Sequence, residues 1–102
     1  MLYAITLTYS RPMTEIDAQL DAHRAWLVQH IKASQILVAG PLESGLGGML
    51  LVQAADRDSI DALLAEDPYT IHDLVRWDVE AFTPAIRHHD LPENWAPNAK
   101  SV

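Results

Sequence analysis

The sequence contains no cysteine and few basic side chains: seven lysines and arginines stand against fourteen aspartates and glutamates. Without cysteine, neither a disulfide framework nor thiolate chemistry is available. The formal net charge of −7 opposes binding to phosphate backbones or anionic membrane surfaces, where affinity depends on lysine and arginine. We therefore expect no nucleic-acid partner and no membrane association.

Long apolar runs are also missing, since the longest, Met49 to Val52, has the length of a strand and not the ~20 residues that span a bilayer. The first residues form an apolar alternation with no basic leader before them, from which we expect a cytoplasmic protein. Repeats and low-complexity segments are absent. The 102 residues, 49% of them hydrophobic and 21% charged, have the composition and length of one globular domain with one modest core.

Hydrophobic periodicity predicts the element order β-α-β-β-α-β. Strands are predicted at Leu2 to Tyr9, Ile36 to Ala39, Met49 to Ala54 and Leu74 to Phe82. The first helix, with Thr14 as its N-cap, is predicted to reach about Ala33. Its inward stripe is predicted to contain Ile16, Leu20, His23, Leu27 and Ile31. The second helix is predicted to be capped by Asp56 or Ser59 and to end near Glu66, ahead of Asp67-Pro68.

This order predicts an α+β fold of the ferredoxin-like βαββαβ type, a four-stranded antiparallel sheet with both helices on one face. The first and third strands are apolar on both faces, and two helices cover only one face. We therefore expect a homodimer in which a second copy covers the open sheet face. Residues 1–87 are predicted to form this domain, and residues 88–102 a C-terminal tail that packs on the partner subunit.

His23 is the most informative candidate for a functional residue, because it lies within the apolar stripe of the first helix. An unpaired buried imidazole costs about 1 to 3 kcal/mol, so a partner is expected. Asp67, at the end of the second helix, is the candidate, and a carboxylate there would fix the tautomer of the ring and raise its basicity. Two structural interpretations stay open: a satisfied core histidine, and an Asp67-Pro68 N-cap.

Other motifs give weaker indications. Tyr69 is able to donate a hydrogen bond to a substrate oxygen, or to act as a packing residue. The glycine-containing stretch from Gly40 to Gly48 has no lysine and precedes a strand, which favours a hairpin over a phosphate loop. Metal-type donors occur in His88-His89-Asp90 and in the pair His23 and His30, but neither reproduces a closed ligand set. Three tryptophans are able either to line a pocket for a flat ligand or to pack in the core or an interface: Trp26, Trp77 and Trp95. We expect no cofactor and no metal.

Several fragments together resemble the YciI-like (YCII-related) family. They are Met1-Leu2-Tyr3, Ala22-His23-Arg24-Ala25-Trp26-Leu27, Ala39-Gly40-Pro41-Leu42 and Asp67-Pro68-Tyr69, within about residues 1–85. The resemblance implies a dimeric α/β barrel of two ferredoxin-like subunits, with a His and Asp pair in a cleft that maps onto His23 and Asp67. Relatives include a dehydrochlorinase of chlorinated hydroxyhydroquinone breakdown, and the wider superfamily contains muconolactone isomerases and cofactor-free monooxygenases. Leu20-Asp21-Ala22 replaces the usual Arg-Pro before the histidine, which argues against anion recognition by that segment.

Two functions are consistent with these features. The first is a cofactor-independent lyase or isomerase acting on a small aromatic or lactone-like compound, with His23 as general acid/base and Asp67 orienting it. The second is a non-catalytic metabolite-binding or accessory homodimer, in which the two side chains only satisfy each other's hydrogen bonds. An open pocket beside the pair would favour the enzyme, and a filled core would favour the binding protein.

Overall fold

The computed structural model describes all residues, 1–102. Its strands are β1 (Leu2–Tyr9), β2 (Ile36–Pro41), β3 (Gly47–Gln53), β4 (Val75–Phe82), β5 (Ile86–Arg87) and β6 (Lys100–Ser101). Its helices are α1 (Met13–Ala18), α2 (Leu20–Lys32), α3 (Arg57–Ala65) and the short α4 (Pro68–Ile71), with a 3-10 turn at Glu93–Trp95. None of the helices is long and apolar enough to cross a membrane.

The first four strands form one sheet in the order β2-β3-β1-β4, in which every neighbouring pair is antiparallel. The register places Ile5 of β1 between Leu50 of β3 and Val79 of β4. Since side chains alternate along a strand, Ile5, Leu50 and Val79 point to the same face of the sheet. The prediction of an α+β fold built on a four-stranded antiparallel sheet is confirmed.

Helices α2 and α3 pack on this face of the sheet and form the main core with it. The core cluster consists of Tyr3, Ile5, Trp26, Ile36, Leu50, Val52, Ile60, Leu63 and Leu64. A second cluster lies toward the other end of β1 and consists of Leu7, Ile16, Tyr69, Leu74 and Val75. The site described below lies where the second cluster meets α2.

The opposite face of the sheet has no helix over it. On β2 and β3 it presents Val38 and Met49, whose side chains are 59% and 47% exposed, together with the half-buried Leu51. On β4 the same face carries Arg76, Asp78 and Glu80, all exposed. The uncovered face is therefore apolar along the β2–β3 edge and charged along β4.

The prediction of one continuous first helix is wrong, because the chain breaks into α1 and α2 at Gln19. There φ is −109° and ψ is 4°, and the Gln19 amide donates to Ile16 O at 3.1 Å, a bond that closes a 3-10 turn. Beyond the break the buried side chains of α2 are His23, Trp26 and His30. Ile31, predicted to face inward, is 41% exposed. Relative to the predicted stripe, the buried face of α2 beyond His23 is thus shifted by about one position, while His23 stays on it.

Helix α3 corresponds to the second predicted helix. Of its two predicted caps, Asp56 is the one observed, and its Oδ1 accepts from the Ser59 amide and hydroxyl at 2.9 Å each. These two hydrogen bonds favour the ionised carboxylate and lower the pKa of Asp56. Thr14, by contrast, lies inside α1, which begins at Met13 and has no side-chain cap. The predicted cap of the first helix is therefore wrong.

The loop between β2 and β3 is a hairpin, as its glycines predict. Gly45 has φ of +76°, in the left-handed region where glycine is favoured. At Gly47, an added Cβ would lie 1.9 Å from the carbonyl oxygen of Leu7, so only glycine allows β1 and β3 to approach this closely. The hairpin leads from one strand directly into another, which excludes a phosphate loop.

The C-terminal residues form a small substructure of their own. β5 and β6 pair in parallel, with Ile86 opposite Lys100 and Arg87 opposite Ser101. Between them, Ala96 is buried and Trp95 is half-buried. The division at residue 87 and the packing of this tail on a partner stay predictions.

Candidate functional site

His23 and Asp67 meet inside the protein although 44 positions separate them in the sequence. Nδ1 of His23 lies 2.8 Å from Oδ1 of Asp67. The side chains are almost inaccessible, with 9% of the His23 side chain and none of the Asp67 side chain exposed. Since a carboxylate only accepts hydrogen bonds, Nδ1 carries the proton and donates it, which leaves Nε2 as the basic nitrogen. Nε2 has no hydrogen-bond partner in the protein and is not fully buried.

Asp67 is also the N-cap of the short helix α4. Its Oδ1 accepts from the Tyr69 amide at 3.0 Å, and Pro68 occupies the first helical position. This is the capping interpretation predicted from Asp67-Pro68. One carboxylate oxygen therefore holds both the start of α4 and the ring of His23, while Oδ2 is buried without a partner. The capping role fixes where the carboxylate lies, and that position is what allows it to orient the imidazole.

Tyr69 packs against one face of the His23 ring. The two rings stack with their centroids 4.0 Å apart and their planes 8° from parallel, and Tyr9 packs edge-on against Tyr69 at 6.2 Å. The Tyr69 hydroxyl is buried and has no hydrogen-bond partner. Its burial, with smaller contributions from nearby acidic groups, raises the pKa of Tyr69 to about 12. The phenol is therefore protonated at neutral pH and is free to donate one hydrogen bond.

An open cavity of about 360 Å³ adjoins the pair. It lies between the first two helices, the β2–β3 hairpin and β1, and both His23 and Tyr69 contribute to its wall. Most of the remaining wall is apolar, including Leu7, Ile16, Leu20, Leu27 and Leu50. Asp67 does not line the cavity but stands behind His23. The volume is at the lower end of the range for small-molecule sites, enough for one substituted ring.

The YCII-related domain family model matches residues 1–82. The chain belongs to the YCII-related family. The resemblance seen in the sequence fragments is thereby confirmed over most of the chain. The comparison with curated protein sequences gave no match.

Among solved structures, the fold is similar to that of 5-chloro-2-hydroxyhydroquinone dehydrochlorinase (TftG) from Burkholderia phenoliruptrix AC1100, in complex with 2,5-dihydroxybenzoquinone. The TM-score is 0.65 and the sequence identity 28%, and the alignment covers 82% of this chain and 95% of TftG. The YCII-related fold of this chain thus has a neighbour that is a dehydrochlorinase with a small hydroxyquinone bound.

A second buried histidine of this YCII-related domain, His30, lies one heptad along α2. Its Nδ1 lies 2.6 Å from Oε1 of Gln35 and its Nε2 lies 3.1 Å from Oε2 of Glu66. Trp26 separates the two histidines, with ring centroids 5.7 Å from His23 and 5.5 Å from His30. His30 does not line the cavity, and it contacts a different carboxylate from His23. The structure therefore does not bring the two histidines together as a shared metal site.

The other predicted candidates lie away from the cavity. His88, His89 and Asp90 offer one ligand atom each within 4.8 Å of one another, but all three side chains are exposed in the tail. Trp77 belongs to the rim of the core, where its Nε1 donates to the Thr70 hydroxyl at 2.8 Å. The absence of a metal and of a cofactor from the functional site stays a prediction.

Arg24 and Asp17 line the cavity, although hydrophobic periodicity did not single them out. Both occupy positions that a 3.6-residue pattern assigns to solvent, and both side chains are in fact exposed. The available signal was adjacency, since Arg24 directly follows His23 in the sequence. A periodicity argument finds the buried wall of a cleft but passes over the residues at its mouth.

Proposed function

We propose that this chain is a cofactor-independent enzyme that removes hydrogen chloride from, or isomerises, a small aromatic or lactone-like compound. The observation that carries the proposal is the hydrogen bond of 2.8 Å from His23 to a fully buried Asp67, at the wall of an open and mainly apolar cavity. A base oriented by a carboxylate and facing a cavity is the arrangement that general acid/base catalysis requires. The likeness to TftG supports a chlorinated hydroxyhydroquinone as the first compound to test.

The proposed elimination needs only proton transfers and a leaving group. Nε2 of His23 accepts a proton from a ring hydroxyl and returns it to the carbon that carries chlorine. Loss of a second hydroxyl proton then expels chloride with its bonding electron pair, so one proton and one chloride leave per turnover and a quinone forms. Asp67 stabilises the imidazolium that forms between the two transfers. An isomerisation would use the same two transfers at Nε2 without a leaving group.

Tyr69 is proposed to bind the substrate. Its hydroxyl is buried, protonated and unpartnered, and its ring contributes to the cavity wall beside His23. A hydrogen bond to a substrate oxygen would satisfy this hydroxyl and place the ring of the substrate against Nε2. Its contribution is then to binding and positioning, and not to the transfer of protons.

Chloride release under anaerobic conditions tests the proposed function directly. With 5-chloro-2-hydroxyhydroquinone as substrate, we expect the protein to release chloride in a one-to-one ratio with the quinone, above the rate without protein. Chloride is measured with an ion-selective electrode and the quinone by absorbance. A rate equal to that of the protein-free control would count against this substrate. If 2,5-dihydroxybenzoquinone also failed to raise the melting temperature, hydroxyquinones would be discarded as the ligand class.

The capping role of Asp67 favours a second candidate, a metabolite-binding protein without catalysis. Asp67 has a sufficient structural reason to be present, because its Oδ1 caps α4. In that case a ligand such as 2,5-dihydroxybenzoquinone would stabilise the protein, while no proton transfer to or from the ligand would be detected. The melting-temperature and chloride measurements together separate the two candidates.

We also propose that the sheet has the ferredoxin-like topology and that two copies form an α/β barrel through their open faces. The strand order β2-β3-β1-β4 with both long helices on one face supports this topology. The apolar β2–β3 edge, with Val38 and Met49 about half exposed, supports a second copy as its cover. The C-terminal tail is proposed to pack on the partner.

Sedimentation equilibrium at micromolar concentration is expected to give twice the monomer mass. Val38→Glu places a charge in the apolar part of the proposed interface and is expected to yield monomers. Val28→Glu is the matched control, because Val28 is a similarly exposed valine on α2. A monomeric wild-type protein, or a Val38→Glu dimer as tight as the wild type, would exclude this interface.

A further inference from the structure

The charges around the cavity are few and unevenly placed. Besides His23 and two tyrosines, its wall includes two ionisable side chains, Asp17 from α1 and Arg24 from α2. Both are exposed, so they lie at the mouth and not at the closed end. A ligand that enters the cavity therefore passes one cation and one anion before it reaches the imidazole.

Arg24 has no partner within the protein. Arg11 pairs with Asp73 at 3.2 Å and Arg57 with Asp61 at 3.0 Å, whereas Arg24 makes neither an ion pair nor a side-chain hydrogen bond. It does not pair with Asp17 either. Arg76 is also exposed without an ion pair, but it lies on the uncovered face of the sheet, so Arg24 is the arginine that lines the cavity. Its five donors form a planar fork that matches a carboxylate or a phenolate oxygen.

The charges of Arg24 and Asp17 also reach the aromatic wall of the cavity. Arg24 lowers the pKa of Tyr69 and Asp17 raises it, in both cases less than the burial of the ring does. Both charges therefore act on the same hydroxyl, in opposite directions. An anionic group near that hydroxyl would be attracted by Arg24 and repelled by Asp17.

We propose that Arg24 binds an anionic substituent of the substrate, and that the substrate class is a small aromatic ring carrying a carboxylate or phenolate. The inference rests on the proposed function, since it describes the ligand of the same cavity. Asp17 limits the affinity for anions and is expected to oppose ligands with a second negative charge.

Binding of a matched pair of probes tests the assignment without any turnover. The probes are 2,5-dihydroxybenzoate and 2,5-dihydroxybenzamide, which have the same ring and similar size but differ in charge at pH 7. We expect the acid to bind about tenfold more tightly than the amide to the wild-type protein, in calorimetric titrations at low salt. Arg24→Gln is expected to erase this preference, and Asp17→Asn to increase it.

Arg57→Gln is the matched control, because Arg57 is an exposed arginine on α3 that does not line the cavity. It is expected to keep the wild-type preference for the acid. Equal affinities for the two probes, or an unchanged preference in Arg24→Gln, would overturn the role of Arg24. That result would leave the chloride-release activity and its dependence on His23 untouched, so the failure of this inference and that of the proposed function are distinguishable.

Discussion

In the chloride-release assay, replacing His23 with asparagine is expected to lower the turnover rate about 10²- to 10⁴-fold, the usual contribution of a general acid/base. Asparagine is the informative substitution because its amide can donate to Asp67 in place of Nδ1, whereas it has no counterpart of the basic Nε2. The buried carboxylate thus keeps a partner, and the loss of activity is not a loss of folding. The rate is measured at saturating substrate, with circular dichroism as the check on folding.

His30→Asn is the matched control for this loss. His30 is as buried as His23 and lies on the same helix, but it is not part of the cavity wall. We expect its turnover to stay within about threefold of the wild type, well below the effect of losing a general base. If His23→Asn folds and also keeps its turnover within about threefold of the wild type, His23 is not the general acid/base. His23→Ala serves as a second variant for the same test.

Tyr69→Phe separates binding from proton transfer. Because the hydroxyl is buried without a partner in the free protein, its removal is expected to cost the fold little or nothing. If the hydroxyl donates to the substrate, the variant loses one hydrogen bond, and a roughly tenfold rise in KM is expected with a smaller change in kcat. A fall in kcat as large as that of His23→Asn would instead place Tyr69 in the proton-transfer step.

Local patterns in the sequence made Asp67 a candidate partner for His23. His23 lies on the buried face of a helix, and Asp67-Pro68 marks the start of another one, so both positions follow from local patterns. Their distance of 2.8 Å depends on α2 and α3 packing on the same side of one sheet, which the predicted strand order implies. The family resemblance points to the same pair.

The break at Gln19 could not be predicted in the same way. Ala18, Gln19 and Leu20 are all good helix formers, and neither glycine nor proline interrupts them. Local propensity therefore favours one continuous helix, and no residue type in the sequence marks the break. Within α2 the buried positions after His23 are Trp26 and His30, whereas the predicted stripe continued to Leu27 and Ile31.

The cavity mouth was missed for a related reason. Periodicity identifies side chains that avoid water, whereas Arg24 and Asp17 remain exposed and line the cavity only because the hairpin and the helices enclose a space beside them. Such a space is a property of the assembled elements and not of any one of them. The sequence analysis accordingly named residues at the closed end of the cavity and none at its open end.

The role of Asp67 leads to the largest expected effect on stability. Asp67→Ala removes the N-cap of α4, which costs about 1 kcal/mol, and leaves the buried Nδ1–H of His23 without an acceptor, which costs about 1 to 3 kcal/mol. We expect the free energy of unfolding to fall by about 2 to 4 kcal/mol, measured by urea denaturation at pH 7. Asp56→Ala, which removes the exposed cap of α3, is the control, and its loss should be clearly smaller because water replaces the lost oxygen.

Asp67→Asn then distinguishes the structural role from the catalytic one. The amide oxygen of asparagine can still accept from the Tyr69 amide and from Nδ1 of His23, so most of the stability is expected to remain. The negative charge that stabilises the imidazolium is lost, however, and chloride release should fall by at least about tenfold. A stable Asp67→Asn protein with undiminished turnover would mean that Asp67 serves the fold alone, and that His23 acts without help from a charged partner.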